Sequence, residues 1–496
     1  MKSQRHSEDP AAIDTPLSSM LEAPLLPESS HIKQQARFRA IFITCIAPIT
    51  GGFVLGVGYG NIGAILSSHF YKEYYDNPSD LLDEVLGGVL QVGSVGGSIL
   101  AGLYSDRFGR RRGALYIACI QLVGAAVAAL PLFLPIKTLM PIFVGRFLTG
   151  LANGYLSCAI PTYVCETAVA HYRGAIEASF QLFITVGILI AYVINWVYVP
   201  DHAIGWKISM AWQVVPSAIF MCAVAWLPES PRWLVIYGND PQAASNALRM
   251  IRCKEDNAEG ELSGIVAEAE RHQEEGCGQS LWSAVMESPE RRSCLVAMAI
   301  GMMQNGSGVD IVTVYAPQIF SEVYGTDSDE STQLRITVYV GIAFVLITPI
   351  AMLLVDRFGR RVLLLTGSAG MSLSMFMLAA CHMALKQDLA EKTHNALQIV
   401  GIMAVMAFVA FFSISWGPVA WIVPSELVPS HLRARVVSVA LVCGWILDYL
   451  VISTWLSLVA AVGESGGFIV YGLIDLGLGI FVFSFLKETK GICIEH

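Results

Sequence analysis

Long apolar runs, each about as long as a spanning helix and separated by short charged breaks, leave this chain few possible folds. A helix that crosses a bilayer takes about 20 apolar residues. Six runs fall at 40–68, 86–104, 114–134, 139–164, 177–199 and 209–227, and six more at 294–320, 335–355, 362–385, 398–423, 436–462 and 467–486. In hydrocarbon a backbone must satisfy its own hydrogen bonds, so such runs are read as helices. Composition agrees. Of 496 residues 54% are hydrophobic and 14% charged, and the mean hydropathy is +0.57, whereas soluble domains carry about 25% charged residues. This argues against a soluble enzyme, a disordered chain or a nucleic-acid binder. The residues before Phe38 are polar and lack a basic segment followed by a short apolar core. No cleavable signal peptide is expected, and the run from Phe42 would act as an internal anchor. The 11 cysteines are scattered and form no CxxC pair. They read as packing residues, so no disulfide framework, metal site or cofactor is expected. The one glycosylation sequon, Asn305-Gly306-Ser307, lies inside an apolar run.

Basic residues set the orientation. With twelve spans both termini share a side. That side receives Arg107, Arg110, Arg111, Arg112, the polar 228–292 segment, Arg357, Arg360, Arg361, Arg433 and Arg435. The other side has only Lys72, Lys137, Lys207, Arg335, Lys386 and Lys392, and it is acid-rich, with Asp76, Asp80, Asp83, Glu84, Asp327, Asp329 and Glu330. The positive-inside rule makes both termini cytoplasmic, and the net charge of −9 becomes a sum over two unlike faces.

The chain also repeats itself. Asp106-Arg107-Phe108-Gly109-Arg110-Arg111 recurs as Asp356-Arg357-Phe358-Gly359-Arg360-Arg361, after the second run of each half. Glu166 with Arg173 recurs as Glu426 with Arg433, after the fourth run of each half. Two copies of a six-helix unit explain both. The expected division is a 1–39 tail, a 40–227 six-helix half, a 228–292 linker with short amphipathic helices, a 293–486 six-helix half and a 487–496 tail. Parallel repeats of this kind place a substrate site between the halves near the bilayer midplane. Charge pairs at helix ends are partly desolvated, and are read either as a latch between the halves that releases in one state or as topology signals with counterions.

The doubled D-R-F-G-R-R, Gly145-Arg146 in the fourth run, and Pro228-Glu229-Ser230-Pro231-Arg232 after the sixth resemble the sugar porter branch of the major facilitator superfamily. So do Gln181-Leu182 with Thr185 and Gly187, Gly417-Pro418 with Trp421, and Glu488-Thr489-Lys490-Gly491. The resemblance runs from about residue 45 to 491. It implies the major facilitator fold, twelve transmembrane helices in two pseudo-symmetric halves, and an alternating-access carrier for a monosaccharide or polyol. Its cytoplasmic ion-pair network maps to Arg110, Arg111, Glu166, Arg173, Glu229, Asp356, Arg360, Arg361, Glu426 and Arg433.

A sugar needs groups that donate and accept hydrogen bonds, and a ring against its C–H face. Polar residues inside spans usually face the bundle interior, although an amide there is as often a helix–helix bond. Those in mid-run are Gln91, Gln121, Gln181, Gln304, Asn305, Asp310 and Asp448. The resemblance places the substrate against Gln181, Gln304, Asn305, Asp310, Trp421 and Trp445, with Tyr315 closing over it from outside. The chain departs from the pattern at Asn305, where the family has a second glutamine, at Asp310 and Asp448, where it has asparagine, and at Val314, where it has tyrosine.

The substrate expected is therefore a hexose or a polyol. The partners are that solute, the lipid bilayer and, in one reading, a proton, with no nucleic acid; the chain is expected to act as a monomer. The aspartate of proton-driven members aligns with Gly58, which favours facilitated diffusion. Asp310 and Asp448 keep proton symport open, since an acid in mid-span costs about 2.5–3.5 kcal/mol and so requires a use. A non-transporting sugar sensor and an organic-acid or drug carrier are the competing functions. The short tail after Leu486 speaks against the first, and the lack of a central cation for an anionic substrate against the second. The plasma membrane is the expected location. Glu22-Ala23-Pro24-Leu25-Leu26, close to an acidic dileucine signal, makes a vacuolar or endosomal membrane the alternative.

Overall fold

The computed structural model describes residues 30–169, 173–252, 257–274, 291–324, 329–387, 390–428 and 430–489, and among them there are helices and no strand. The dileucine-like segment lies outside the described residues. Among the described residues, ten helices are long and apolar enough to cross a membrane: Ala40–Ser67, Asp80–Phe108, Arg110–Phe133, Arg173–Tyr198, Gly205–Trp226, Arg291–Ser321, Glu330–Val355, Arg360–Leu385, Glu391–Pro424 and Arg435–Phe485. The last is two spans. Its 51 residues would rise about 77 Å, over twice a hydrocarbon core, and Gly463 breaks it at φ 74°. Met140–Thr167, 28 residues long, is the fourth span and completes twelve.

The fourth span is less apolar than the others because it faces protein. It packs on the second span through facing glycines. A Cβ on Gly93 or Gly97 would lie 2.2 or 1.9 Å from the Phe147 or Leu151 carbonyl oxygen, and one on Gly150 or Gly154 2.0 or 1.9 Å from that of Leu90 or Ser94. The backbones touch, as small-residue helix pairs in membranes do. Ser94 and Ser98 hydroxyls donate to the Gly150 and Gly154 carbonyls, both at 3.1 Å.

Apolar side chains collect in two main clusters, one inside the first half around Val54, Leu156 and Phe220, and a larger one around Phe408, Val419 and Val482 that also takes in Ile65, Tyr71 and Trp206 of the first half. Phe133, Leu346, Leu353 and Phe483 stay exposed on the outside, as a lipid-facing belt requires. Between the halves, Pro231–Ile236, Pro241–Ile251 and Ala258–Glu274 form short helices. Arg252 fixes them to the body, pairing with Glu261 at 2.8 Å and donating to the Thr167 carbonyl at 2.7 Å.

Five spans are interrupted among the described residues, the third at Ala129 and the sixth at Gln213 included; the breaks in the first, seventh and tenth bear on the site. The first stops at Gly60 and resumes at Ile62; the seventh stops at Gly306 and resumes at Val309, with Gly308 at φ 78°; the tenth stops at Ile414 and resumes at Trp416. Side chains take up the freed backbone groups. Asn195 Nδ2 donates to the Gly60 carbonyl at 3.0 Å, the Ser307 hydroxyl to Gln304 O at 2.7 Å, and the Ser415 hydroxyl to Phe411 O at 2.6 Å.

Candidate functional site

The interruptions bring polar groups of both halves together. Tyr59, beside the break in the first span, donates its hydroxyl to Asp448 Oδ2 in the eleventh at 3.4 Å and stacks on Trp445 with ring centroids 6.3 Å apart. Asp310, two residues beyond Gly308 in the seventh span, neighbours the Asp448 carboxyl, and Gln91 of the second span reaches the same carboxyl. Asp448 and Gln91 are each 1% exposed, whereas Asp310 is half-buried. Gln304 Nε2 donates to the Gly417 carbonyl at 3.2 Å, tying the seventh span to the broken tenth. Asn305, half-buried, lies against Gly444, where a Cβ would come within 3.0 Å of its Nδ2.

Several groups here have hydrogen-bonding capacity left over. The indole N–H groups of Trp421 and Trp445, Gln91 Oε1 and Asp448 Oδ1 are buried without a protein partner. Such groups are costly unless something else satisfies them, and a hydroxyl-rich solute offers both donors and acceptors. Trp445 and Tyr59 supply the rings.

Two sequence candidates lie apart from this group. Gln181 is half-buried on the fifth span, and no hydrogen bond joins it to the cluster. Tyr315 is fully buried, its hydroxyl donated to the Ile452 carbonyl at 3.0 Å. Three residues that matter were not read as site residues. Tyr59 has as its only sequence signal its place between Gly58 and Gly60. Arg146, 2% exposed, gives its guanidinium to the carbonyls of Leu86, Gly58 and Gly87 at 3.2, 3.4 and 3.3 Å. Asp475 is buried in the twelfth span with both oxygens unpartnered.

At the end of the molecule that carries the basic loops, the two halves hold matching networks. Gly109 and Gly359 turn at φ 92° and 90° between the second and third and the eighth and ninth spans. A carboxylate then caps each following helix: Glu229 accepts from Arg111 N at 2.9 Å, and Glu488 from Arg360 N and Arg361 N at 2.8 and 3.1 Å. Anionic caps suit helix N-termini. Arg110 pairs with Glu166 and Asp106, both at 2.8 Å, and Arg360 with Glu426 at 2.8 Å. Arg111 and Arg361 donate to the Ala225 and Phe483 carbonyls at 2.6 and 2.8 Å.

These pairs lie within one half each, so in this structure they brace a half; a latch between the halves belongs to the other state. One expectation is corrected here. Glu166 is held by Arg110, not Arg173, which is exposed, because the guanidinium at the helix start reaches it bidentately. The side chains of Asp356 and Arg433 lie outside the described residues. Glu488, absent from the predicted network, is the counterpart of Glu229.

The halves meet at the opposite end. A Cβ on Gly63 of the first span would lie 2.0 Å from Val314 O of the seventh. The Tyr192 hydroxyl donates to Thr313 O at 2.7 Å, and His69 Nδ1 lies 2.9 Å from Glu330 Oε2. Glu84 accepts from Ser457 N at 2.6 Å and from its hydroxyl at 2.8 Å. Asp83 and Glu84, expected in an acid-rich loop, are thus buried inside the second span. Burial is possible because Tyr71 donates to Asp83 at 3.1 Å and Ser457 donates twice to Glu84.

Comparison with known proteins agrees with this geometry. The family described as "Sugar (and other) transporter" matches residues 44–496. "Putative polyol transporter 1" of Arabidopsis thaliana is 32% identical over 97% of this chain and 94% of its own. "Putative metabolite transport protein YwtG" of Bacillus subtilis is 32% identical over 90% and 92%. Among solved structures, the proton:xylose symporter XylE bound to 6-bromo-6-deoxy-D-glucose superimposes with a TM-score of 0.75 at 25% identity, over 92% of this chain and 98% of that one. A partially occluded inward-open form of XylE from E. coli gives 0.74 at 24% identity, over 92% and 99%. The chain belongs to the sugar porter family of the major facilitator superfamily, and it is a membrane transporter, not an enzyme.

Proposed function

We propose that the chain carries a monosaccharide or a polyol by alternating access, with the solute held between the halves by Gln304, Asn305, Asp310, Trp421, Trp445 and Asp448. Gln181 and Tyr315 join when the halves move. The observation that carries this reading is the set of unspent hydrogen-bonding groups at mid-depth beside two aromatic rings. The names of the relatives, polyol and sugar transporters, agree with it. The basic-loop end is read as cytoplasmic by the positive-inside rule. With the other end closed, the structure is then inward-facing. A single chain contains both halves of the site, so the functional unit is a monomer. The plasma membrane is its proposed location, which a fluorescently tagged chain tests directly.

Uptake of labelled hexoses, pentoses and linear polyols into proteoliposomes of the purified chain tests the function. One class is expected to enter and to exchange in counterflow. Trp421→Ala should weaken that substrate at least tenfold in KM while the protein remains folded. No transport of any compound in the panel would overturn the proposal.

A further inference from the structure

Lys137 and Lys207 are far apart in sequence and meet over one ring. Lys137 Nζ lies 4.4 Å from the centre of the Tyr74 ring and Lys207 Nζ 3.9 Å from it, so the two ammoniums are at most 8.3 Å apart. We propose that they form the mouth of a site for the phosphate of an anionic phospholipid, on the side of the membrane opposite the basic loops. The site lies apart from the mid-depth group and shares no residue with it.

The charge balance points to an anion. Like charges this close repel, and among the described residues neither ammonium is paired with a carboxylate. Lys137 donates to the Tyr74 carbonyl at 3.2 Å, and Lys207 leans on the Trp206 ring, 5.3 Å from its centre. A carbonyl and ring faces soften the repulsion without removing it. Asp83, the acid that meets this group, accepts the Tyr71 hydroxyl at 3.1 Å. Tyr71, Tyr74, Tyr75 and Trp206 pack on one another, with neighbouring ring centres 4.9 to 5.7 Å apart. Three donors of that group, the Tyr74 and Tyr75 hydroxyls and the Trp206 N–H, are buried without a protein partner. A phosphate oxygen is a partner that suits both such donors and two unpaired ammoniums.

Depth and surroundings assign the phosphate to a lipid. The third span ends at Phe133 and the sixth begins at Gly205, which puts Lys137 and Lys207 at the level of the headgroups. The chain beside them is apolar and open: Phe133, Met140 and Ile204 are 75, 61 and 53% exposed. Acyl chains can lie on these residues while the headgroup meets the ammoniums, as it does in basic pockets between spans. An aromatic belt alone would turn its rings to lipid, whereas Trp206 is 0% exposed. An occupant would tie together three segments of the first half: the His69–Tyr74 helix, the turn after the third span and the start of the sixth.

The test titrates the purified full chain in detergent with phosphatidylglycerol, with phosphatidylcholine and with inorganic phosphate. Thermal shift reads the stabilisation that binding confers, and native mass spectrometry reads retained lipid. Phosphatidylglycerol should stabilise saturably and stay bound, phosphatidylcholine should do so more weakly, and inorganic phosphate should do little. Lys137→Gln combined with Lys207→Gln should raise the half-saturating phosphatidylglycerol concentration about tenfold or more and lose the retained lipid. Lys137→Arg combined with Lys207→Arg should keep both, because the charges remain. Lys386→Gln combined with Lys392→Gln, which removes two exposed charges from the same side of the other half, should titrate as the unsubstituted chain does. If the Lys137, Lys207 Gln pair does not stay monodisperse, each single Gln variant should weaken the lipid about threefold. An unchanged titration in the pair, or in both single variants, overturns the proposal. Equal weakening in the Lys386, Lys392 pair shows general surface attraction and overturns it as well. Equal stabilisation by phosphatidylcholine refutes the anionic headgroup, and inorganic phosphate matching the lipid places a free anion there and refutes the lipid. Uptake plays no part in the readout, so this site and the carrier reading stand or fall separately.

Discussion

Glu84 should hold the outer end shut, and Glu84→Ala measures how firmly. The carboxylate is 1% exposed and accepts from Ser457 N at 2.6 Å and Ser457 Oγ at 2.8 Å. It therefore joins the second span of one half to the eleventh of the other. Hydrogen bonds to a charged group are worth about 1.5–3 kcal/mol each, or about 3–6 kcal/mol for the two. Burying the carboxylate returns several kcal/mol of that, leaving about 1–3 kcal/mol in favour of the closed end. In the open state Glu84 meets water and the substitution removes nothing. The closed-to-open equilibrium should therefore move about 5- to 150-fold toward open, at about 1.4 kcal/mol per factor of ten. Hydrogen exchange followed by mass spectrometry reads this directly. Peptides covering 80–90, 309–324 and 446–460 should exchange faster, while those around Gly109 and Gly359 should not. Glu84→Gln should fall between, and Glu84→Ala combined with Ser457→Ala should add little to Glu84→Ala alone, whereas Ser457→Ala, which keeps its backbone N–H bond, should shift less. Unchanged exchange at 309–324 in Glu84→Ala would show that the bonds are incidental to closure.

Three further outcomes follow from particular contacts. Gly154→Ala puts a methyl 1.9 Å from Ser94 O, whereas Gly102→Ala meets nothing within 4 Å; the first should lower stability by about 1–3 kcal/mol in a thermal-shift assay and the second should be neutral. Glu229→Gln and Glu488→Gln should cost similar amounts, about 1–2 kcal/mol each as charged caps, and a neutral Glu488→Gln would break the equivalence of the halves. Gly308→Ala strains a φ of 78° and crowds Tyr471 at 2.7 Å, so it should slow turnover with little change in substrate KM; an unaltered rate would show that this break does not move.

The repeat made the architecture legible. A six-residue motif recurring after the second run of each half sets the period, and the apolar runs fill it. The fourth span could be counted despite its lower hydropathy because its neighbours fixed the alternation of sides. The ends of runs were harder to place. Hydropathy assigns acids to loops, so it starts the second span at residue 86 and leaves Glu84 outside it. Its burial depends on Ser457, a partner in the other half that no local pattern reveals. Glu488 lies in a legible motif, and the repeat that matches it to Glu229 is the signal for its role. Arg173 shows the opposite error, since a charge seven residues away in sequence suggested a pair that Arg110 forms from a different loop. The Asp310 and Asp448 positions were marked by the cost of an acid in a span. That they meet, and that Tyr59 and Gln91 complete the group, depends on the breaks in the first and seventh spans and on the crossing of four helices.

Bracing within the halves and breaks between them have a joint consequence for motion. Each basic-end network ties the loop after the second span of its half to the end of the fourth and to the segment after the sixth, by charged caps and a bidentate pair. Those ends move as a body. The second and fourth spans are welded further by glycine contacts too close for sliding. Freedom is left at the interface and at Asn61, Gly308 and Ser415, where backbone bonds are already replaced by side-chain ones. Two of these breaks adjoin the Asp310–Asp448 group, through Tyr59 and Asp310, and Gln304 ties the seventh span to Gly417, two residues past the third break. Any rearrangement at that group therefore acts on the segments able to bend. The Val309–Tyr324 segment, bounded by the Gly308 break below and seated on Gly63 and Tyr192 above, is the element through which binding at mid-depth can release the outer end.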